Sequence, residues 1–168
     1  MRLPRLEPDQ LSELLHDYAA DPQRRAVVLG LGHCPEILKD WLDLYYQVTR
    51  QPGRLGVVRK EMVRLLLAQL SGCEVCQAQI STEALEQGLT LDKISQLSQP
   101  DERFPAAEQA MLQLAQPLRG GHEQVSSDDF ARLQLHFSAE EITELGFVVS
   151  FFAASARLNF GFGVFEPH

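Results

Sequence analysis

The sequence predicts an all-α fold, and three observations carry that prediction. Apolar residues recur at helical spacing along nearly the whole chain, no run alternates apolar and polar residues between hairpin signals, and prolines, glycines and capping boxes fall where helices should start and stop. The punctuation divides the chain into about six to eight helices.

Leu6, Leu11, Leu14, Leu15 and Tyr18 predict a first helix ending near Asp21-Pro22, because proline biases the residue before it away from helical geometry. Pro35 suits the first turn of a second helix, which carries Ile37, Leu38, Trp41, Leu44, Tyr45 and Val48 on one face and breaks at Gln51-Pro52-Gly53. A third runs from Val57 to Leu70, with Gly72 where a C-terminal cap belongs. The fourth is expected to begin around Cys73 and continue to Gly88.

Thr90 then caps a short segment containing Leu91, Ile94 and Leu97, and Pro105 opens a helix with Met111, Leu114, Ala115 and Leu118 at core spacing, closed by Gly120-Gly121. Ser126 to Asp129 and Ser138 to Glu141 both fit the capping box, in which a hydroxyl and a carboxylate three residues later satisfy orphan amides reciprocally. The last helix, from Ala139 to about Asn159, is apolar around most of its circumference and so must be covered, by its own subunit or by another copy.

The 168 residues suit one domain of ordinary size. Apolar residues make up 45% and charged residues 23%, which excludes a low-complexity or disordered chain. The net charge is −8 and the 15 Lys and Arg are scattered, leaving no positive stripe to neutralise nucleic-acid phosphates. No signal-type apolar block follows the first residues, and the run from Leu145 to Ala156 is short for a bilayer, so the chain reads as cytoplasmic and without a membrane partner. In that compartment thiols stay reduced, and a C-x-x-C is more often catalytic or metal-binding than a structural bridge.

Cys73-Glu74-Val75-Cys76 is such a motif. Cys73 in the first turn of a helix would sit among unpaired amides that favour the thiolate, and Cys76 falls on the same face, close enough for a disulfide. A zinc site needs four ligands, and the remaining candidates, Cys34, His16, His33, His122 and His136, are not paired at ligand spacing, so no metal or cofactor is expected. Two small half-buried residues remain the plain structural alternative. Glu61, twelve residues upstream in an apolar run, could return toward the cysteines across an antiparallel helical pair and act as base or proton relay; otherwise it is an exposed glutamate beside Arg59, Lys60 and Arg64. Cys34 beside Pro35 reads as a buried small residue, at most one of Tyr45 and Tyr46 lines a pocket, and Arg157 is expected to pair with a buried carboxylate.

Glu61, the C-x-x-C, Gly88 and Leu91-Asp92-Lys93-Ile94 together resemble the core of the alkylhydroperoxidase D-like proteins within the carboxymuconolactone decarboxylase superfamily. The segment from His33 to Leu38 with Trp41 and Leu44 resembles the preceding helix, and Val125 to Ile142 with Arg157-Leu158-Asn159 resembles the C-terminal part. The resemblance runs from about residue 26 onward, leaving 1–25 as an N-terminal helical extension of a single domain spanning 1–168.

This resemblance implies an oligomeric all-α enzyme, a trimer, hexamer or similar ring, that reduces hydroperoxides through a Cys73–Cys76 disulfide and is recycled by an external dithiol. It assigns Glu61 as the proton relay, Cys76 as the cysteine attacking peroxide and Cys73 as its more accessible partner, whereas the helix-terminus argument makes Cys73 the better thiolate. The family's relay histidine, four residues after the second cysteine, is here Ile80; Gln79 does not titrate usefully, and His33 is the auxiliary candidate. Without that histidine, a non-catalytic redox-sensing or binding subunit is the main alternative. A lactone-acid decarboxylase is less favoured, since that branch does not depend on a C-x-x-C.

Overall fold

The computed structural model describes residues 1–165, apart from the His122 side chain, and contains among them ten α-helices, three single 3-10 turns and no strand. The short 3-10 turns Pro8–Gln10 and Glu13–Leu15 lead into α1 (His16–Ala20) and α2 (Pro22–Leu31). The expected first helix is therefore broken into pieces, and α2 lies in a stretch to which the sequence pattern assigned no element. Pro22, taken as a stop, is instead the first residue of α2, and Asp21 caps it by accepting the Gln23 amide at 2.8 Å. Proline lacks only the N–H that a first helical turn leaves unpaired.

The middle of the chain follows its punctuation: α3 (Pro35–Arg50) and α4 (Val57–Leu70) have the expected bounds. The fourth expected helix is two, α5 (Glu74–Ala78) and α6 (Thr82–Glu86), separated by non-helical backbone at Gln79 and Ser81. α7 (Leu91–Ser95) and α8 (Ala106–Gly120) follow, then α9 (Ser127–Gln134) and α10 (Ala139–Phe162), the last two started by the two capping boxes.

α4 is the axis of the domain, packed against α8 and α10, which also pack on each other. Every residue from Lys60 to Ala68 is buried, including Lys60, Glu61 and Arg64. Met62, Val63, Leu65, Leu66, Met111, Leu112, Leu145 and Val149 form the main core, while Leu15 and Val28 of the N-terminal segment make a smaller cluster with Leu38 and Leu42 of α3. α10, which contains the run read as too short for a bilayer, is by length and composition alone a helix that could cross one; here its buried face is the wall of the core. The N-terminus is tied to the far end of α10 through Arg2 N–H to the Phe162 carbonyl at 2.9 Å.

Candidate functional site

The C-x-x-C sits at the junction of α4 and α5. Gly72, at φ 65°, turns the chain out of α4, and Cys73 N–H then donates back to the Ala68 carbonyl at 3.0 Å. A left-handed φ is strained for any residue with a β-carbon, which accounts for a glycine immediately before the motif. Cys73 is the N-cap of α5, its Sγ accepting the Cys76 amide at 3.2 Å, and the two cysteines are joined as a disulfide with Cα atoms 5.2 Å apart. Cys73 is only 2% exposed and Cys76 is half-buried, so the cysteine expected to be the more accessible is the less accessible one.

Glu61 and Arg64 explain why α5 is so short. Glu61 is not an exposed surface glutamate: it is 7% exposed, and Arg64 grips it by Nε to Oε2 at 2.8 Å and Nη2 to Oε1 at 2.7 Å. Such a fork-on-fork pair holds both groups in one plane. The same guanidinium donates from Nη1 to the Cys76 carbonyl at 2.8 Å and from Nη2 to the Gln79 carbonyl. The end of α5 thus finds its partners in a side chain, and the helix need not continue. On the other side, Glu61 Oε1 accepts the Ser81 amide at 2.8 Å, while the Ser81 hydroxyl accepts the Ala84 amide to start α6. One buried ion pair therefore fixes the whole connection after the cysteines.

A cavity of about 100 Å³ adjoins the disulfide, with walls from α2, α3, α4, α5 and α10. Cys73, Cys76, Arg64 and Gln79 form one side; Trp41, Tyr45 and Phe152 give it an aromatic surface; Arg24 and Asn159 supply polar groups. Tyr45 is the tyrosine that lines a pocket, and Tyr46 does not reach this one. Ile80 points elsewhere, packed against the main core. A histidine placed there would enter apolar packing, not the cavity wall.

The other candidates separate from this centre. His33, the expected auxiliary residue, is exposed, donates from Nε2 to the Pro4 carbonyl at 2.9 Å, and does not line the cavity. Cys34 is exposed, not buried, since it precedes the first turn of α3 instead of facing the core. Arg157 pairs with no carboxylate among the described residues; its Nη2 donates to the carbonyls of Arg119 and Gly120 and so caps the end of α8. His16 and His136 are exposed. Among the described residues, no three His, Cys, Asp or Glu side chains gather at metal-binding distance. Sequence reasoning missed Arg64 and Arg24. The first had a signal in its Glu61-x-x-Arg64 spacing, the second had none.

Comparison with known proteins adds to this geometry. A sequence model of the carboxymuconolactone decarboxylase family matches residues 35–117, from α3 through most of α8. No curated protein matches at a significant level. An uncharacterized peroxidase-related protein from Ralstonia eutropha JMP134, described as an alkylhydroperoxidase AhpD core, superposes with a TM-score of 0.78 at 21% identity, covering 99% of this chain and 92% of its own. A peroxidase-related protein from Silicibacter sp. TM1040 gives 0.77 at 17% identity, covering 100% and 91%. A protein of unknown function from Agrobacterium tumefaciens, proposed as an AhpD antioxidant defence protein, gives 0.68 at 23% identity, covering 80% and 92%. The structural likeness extends over the N-terminal segment that the family match leaves out. Residues 35–117 thus match the carboxymuconolactone decarboxylase family, and the chain has the alkylhydroperoxidase D-like fold.

Proposed function

We propose that the protein is a thiol peroxidase that reduces organic hydroperoxides at Cys73 and Cys76. The observation that carries this reading is that both cysteines line one largely apolar cavity, where an alkyl hydroperoxide can meet a sulfur away from bulk water. In the reduced protein one thiolate attacks the terminal peroxide oxygen; the S–O bond forms, the O–O bond breaks, and the alkoxide leaves with a proton as alcohol. The second cysteine then attacks the sulfenic sulfur, forming the disulfide and releasing water. An external dithiol returns two electrons and two protons by exchange.

In this scheme Glu61 is the proton relay, acting beside a fixed cation. Its carboxylate holds Arg64, and Arg64 holds the Cys76 carbonyl, so the same residue also positions the attacking helix. A cytoplasmic location accords with a pair that must be reduced in every cycle.

A second reading, a redox sensor without turnover, is favoured by Ile80 packing into the core and by both Glu61 oxygens being engaged. Titration of thiols separates either from a structural role: of the three thiols in the reduced chain, stoichiometric peroxide should consume two and spare Cys34. Retention of all three would sink both redox readings. Sustained consumption of ethyl hydroperoxide with a dithiol reductant marks the enzyme; a single turnover marks the sensor.

A further inference from the structure

The cavity beside the disulfide contains a charge that nothing in the described protein neutralises at hydrogen-bond distance. Arg24, on α2, is 7% exposed and lines the cavity, yet its Nε and Nη2 have no hydrogen-bond partner among the described residues. The nearest carboxylate, Asp21, caps α2 through Oδ1, and its Oδ2 stands 4.0 Å from Nε, within ion-pair range but beyond a hydrogen bond. Tyr45 lies under the guanidinium, with Cζ 3.8 Å from the ring centroid. That contact uses the face of the cation and leaves its in-plane N–H groups unpaired. A buried, desolvated guanidinium without an acceptor is costly, and its planar fork matches a carboxylate.

Two more polar groups border the same space. Ser155 Oγ and Asn159 Oδ1, one turn apart on α10, are buried without partners and line the same cavity. The Ser155 hydroxyl can donate to a carboxylate oxygen, whereas the Asn159 amide oxygen only accepts and suits a hydroxyl or hydroperoxide proton of the ligand. The rest of the surface is apolar and aromatic. At about 100 Å³ the space takes a short chain of a few carbons and not a long one.

We propose that this cavity binds a short-chain aliphatic carboxylate, with Arg24 as the anion anchor and the hydrocarbon directed along Trp41 and Phe152 toward the disulfide. In the peroxidase reading, on which this extension rests, the substrate class becomes short-chain acids bearing a hydroperoxide at the end remote from the carboxylate. The binding itself does not depend on turnover.

The test uses the oxidised full-length protein, in which no peroxide chemistry can occur. Trp41, the single tryptophan, lines the cavity and reports occupancy by fluorescence, with calorimetry as the independent measurement. Pentanoate should bind, the neutral isostere pentanamide should bind about tenfold more weakly or worse, and R24Q should remove the difference. Comparing the two ligands on the unaltered protein keeps the test decisive even if R24Q does not fold. Equal binding of pentanoate and pentanamide, absence of pentanoate binding at millimolar concentration, or equally tight binding of chloride would each overturn the proposal. With the reduced protein, kcat/KM for 5-hydroperoxypentanoate should exceed that for pentyl hydroperoxide by a similar factor, and R24Q should abolish the preference. If pentanoate binds but neither peroxide is consumed, the peroxidase reading fails while the anion site stands.

Discussion

Arg64 is the residue on which the redox segment turns, because its guanidinium is shared among Glu61, Cys76 and Gln79. R64M leaves Glu61 as a buried charge with only the Ser81 amide, and should cost about 3–5 kcal/mol of stability in chemical denaturation. The double variant E61Q/R64M should recover part of that loss, and strict additivity would show that the pair is not coupled. E61Q alone should slow peroxide oxidation of the dithiol by at least about tenfold if Glu61 moves the proton. R64K separates relay from positioning: it keeps the charge and loses the fork, so it should slow oxidation without changing the pH dependence that E61Q alters. Tyr18 makes a second prediction. Its hydroxyl donates to Asp43, and that hydrogen bond, with burial and the Asp43 charge, pushes its pKa up to about 12. This value lies above that of the unfolded chain, so the contact contributes fully below pH about 10 and is lost as pH rises through the folded value. Phenolate absorbance should show a late-ionising tyrosine that Y18F removes.

At the level of elements, a clamp joins the turn before α4 to α10. Glu144 accepts the amides of Arg54 and Leu55 and pairs with Lys60, itself 3% exposed. Burial alone would raise the Glu144 pKa, but the Lys60 hydrogen bond and the two amides outweigh it and hold the carboxyl below its usual range. Its contribution is present above the unfolded pKa and disappears as pH falls through the folded one. E144Q should therefore destabilise by about 3 kcal/mol at neutral pH, with the difference from wild type shrinking in acid. G53A should act in the same direction, since a β-carbon there would lie 1.9 Å from Glu144 Oε1 on a residue at φ 56°. The same elements show what the sequence could reveal. α3, α4, α8, α9 and α10 were legible because Pro35, Gly72, Pro105 and two capping boxes mark them through local chemistry. α2 was hidden because Pro22 reads equally as a stop and as a first residue. The break between α5 and α6 was hidden because Arg64, twelve residues before Cys76, supplies the partners that end α5. In the site, the two cysteines and Glu61 could be picked out by type and spacing. The spacing of Arg64 from Glu61 marks that pair but not the two carbonyls Arg64 also meets, and Arg24 had no signal, because what defines it is the direction of a long side chain.

For the whole molecule, the open question is what covers α10. Within the subunit only 28% of its most apolar window is buried, and Phe147 remains 68% exposed. Beside it, α3 presents Ile37, Trp41 and Leu44 on one helical face, with Ile37 72% and Leu44 43% exposed. Trp41, Leu44 and Phe147 line one shallow groove between the two helices, so the exposed apolar groups form a patch and not scattered singles. The Lys60–Glu144 pair also borders this groove, where a lipid tail would offer it no compensating dipole but the rim of a protein interface could. A second copy of the chain is the economical occupant, and it agrees with the ring assembly expected from the family resemblance. Light scattering coupled to size-exclusion chromatography should give a multiple of 18.9 kDa for the wild type. F147E should lower that multiple while preserving helical content, because the substituted carboxylate projects into solvent in the free subunit and is desolvated only in the interface. A wild type that elutes as a monomer at micromolar concentration would remove the assembly from the description. An F147E variant that stays assembled would place the interface on another face.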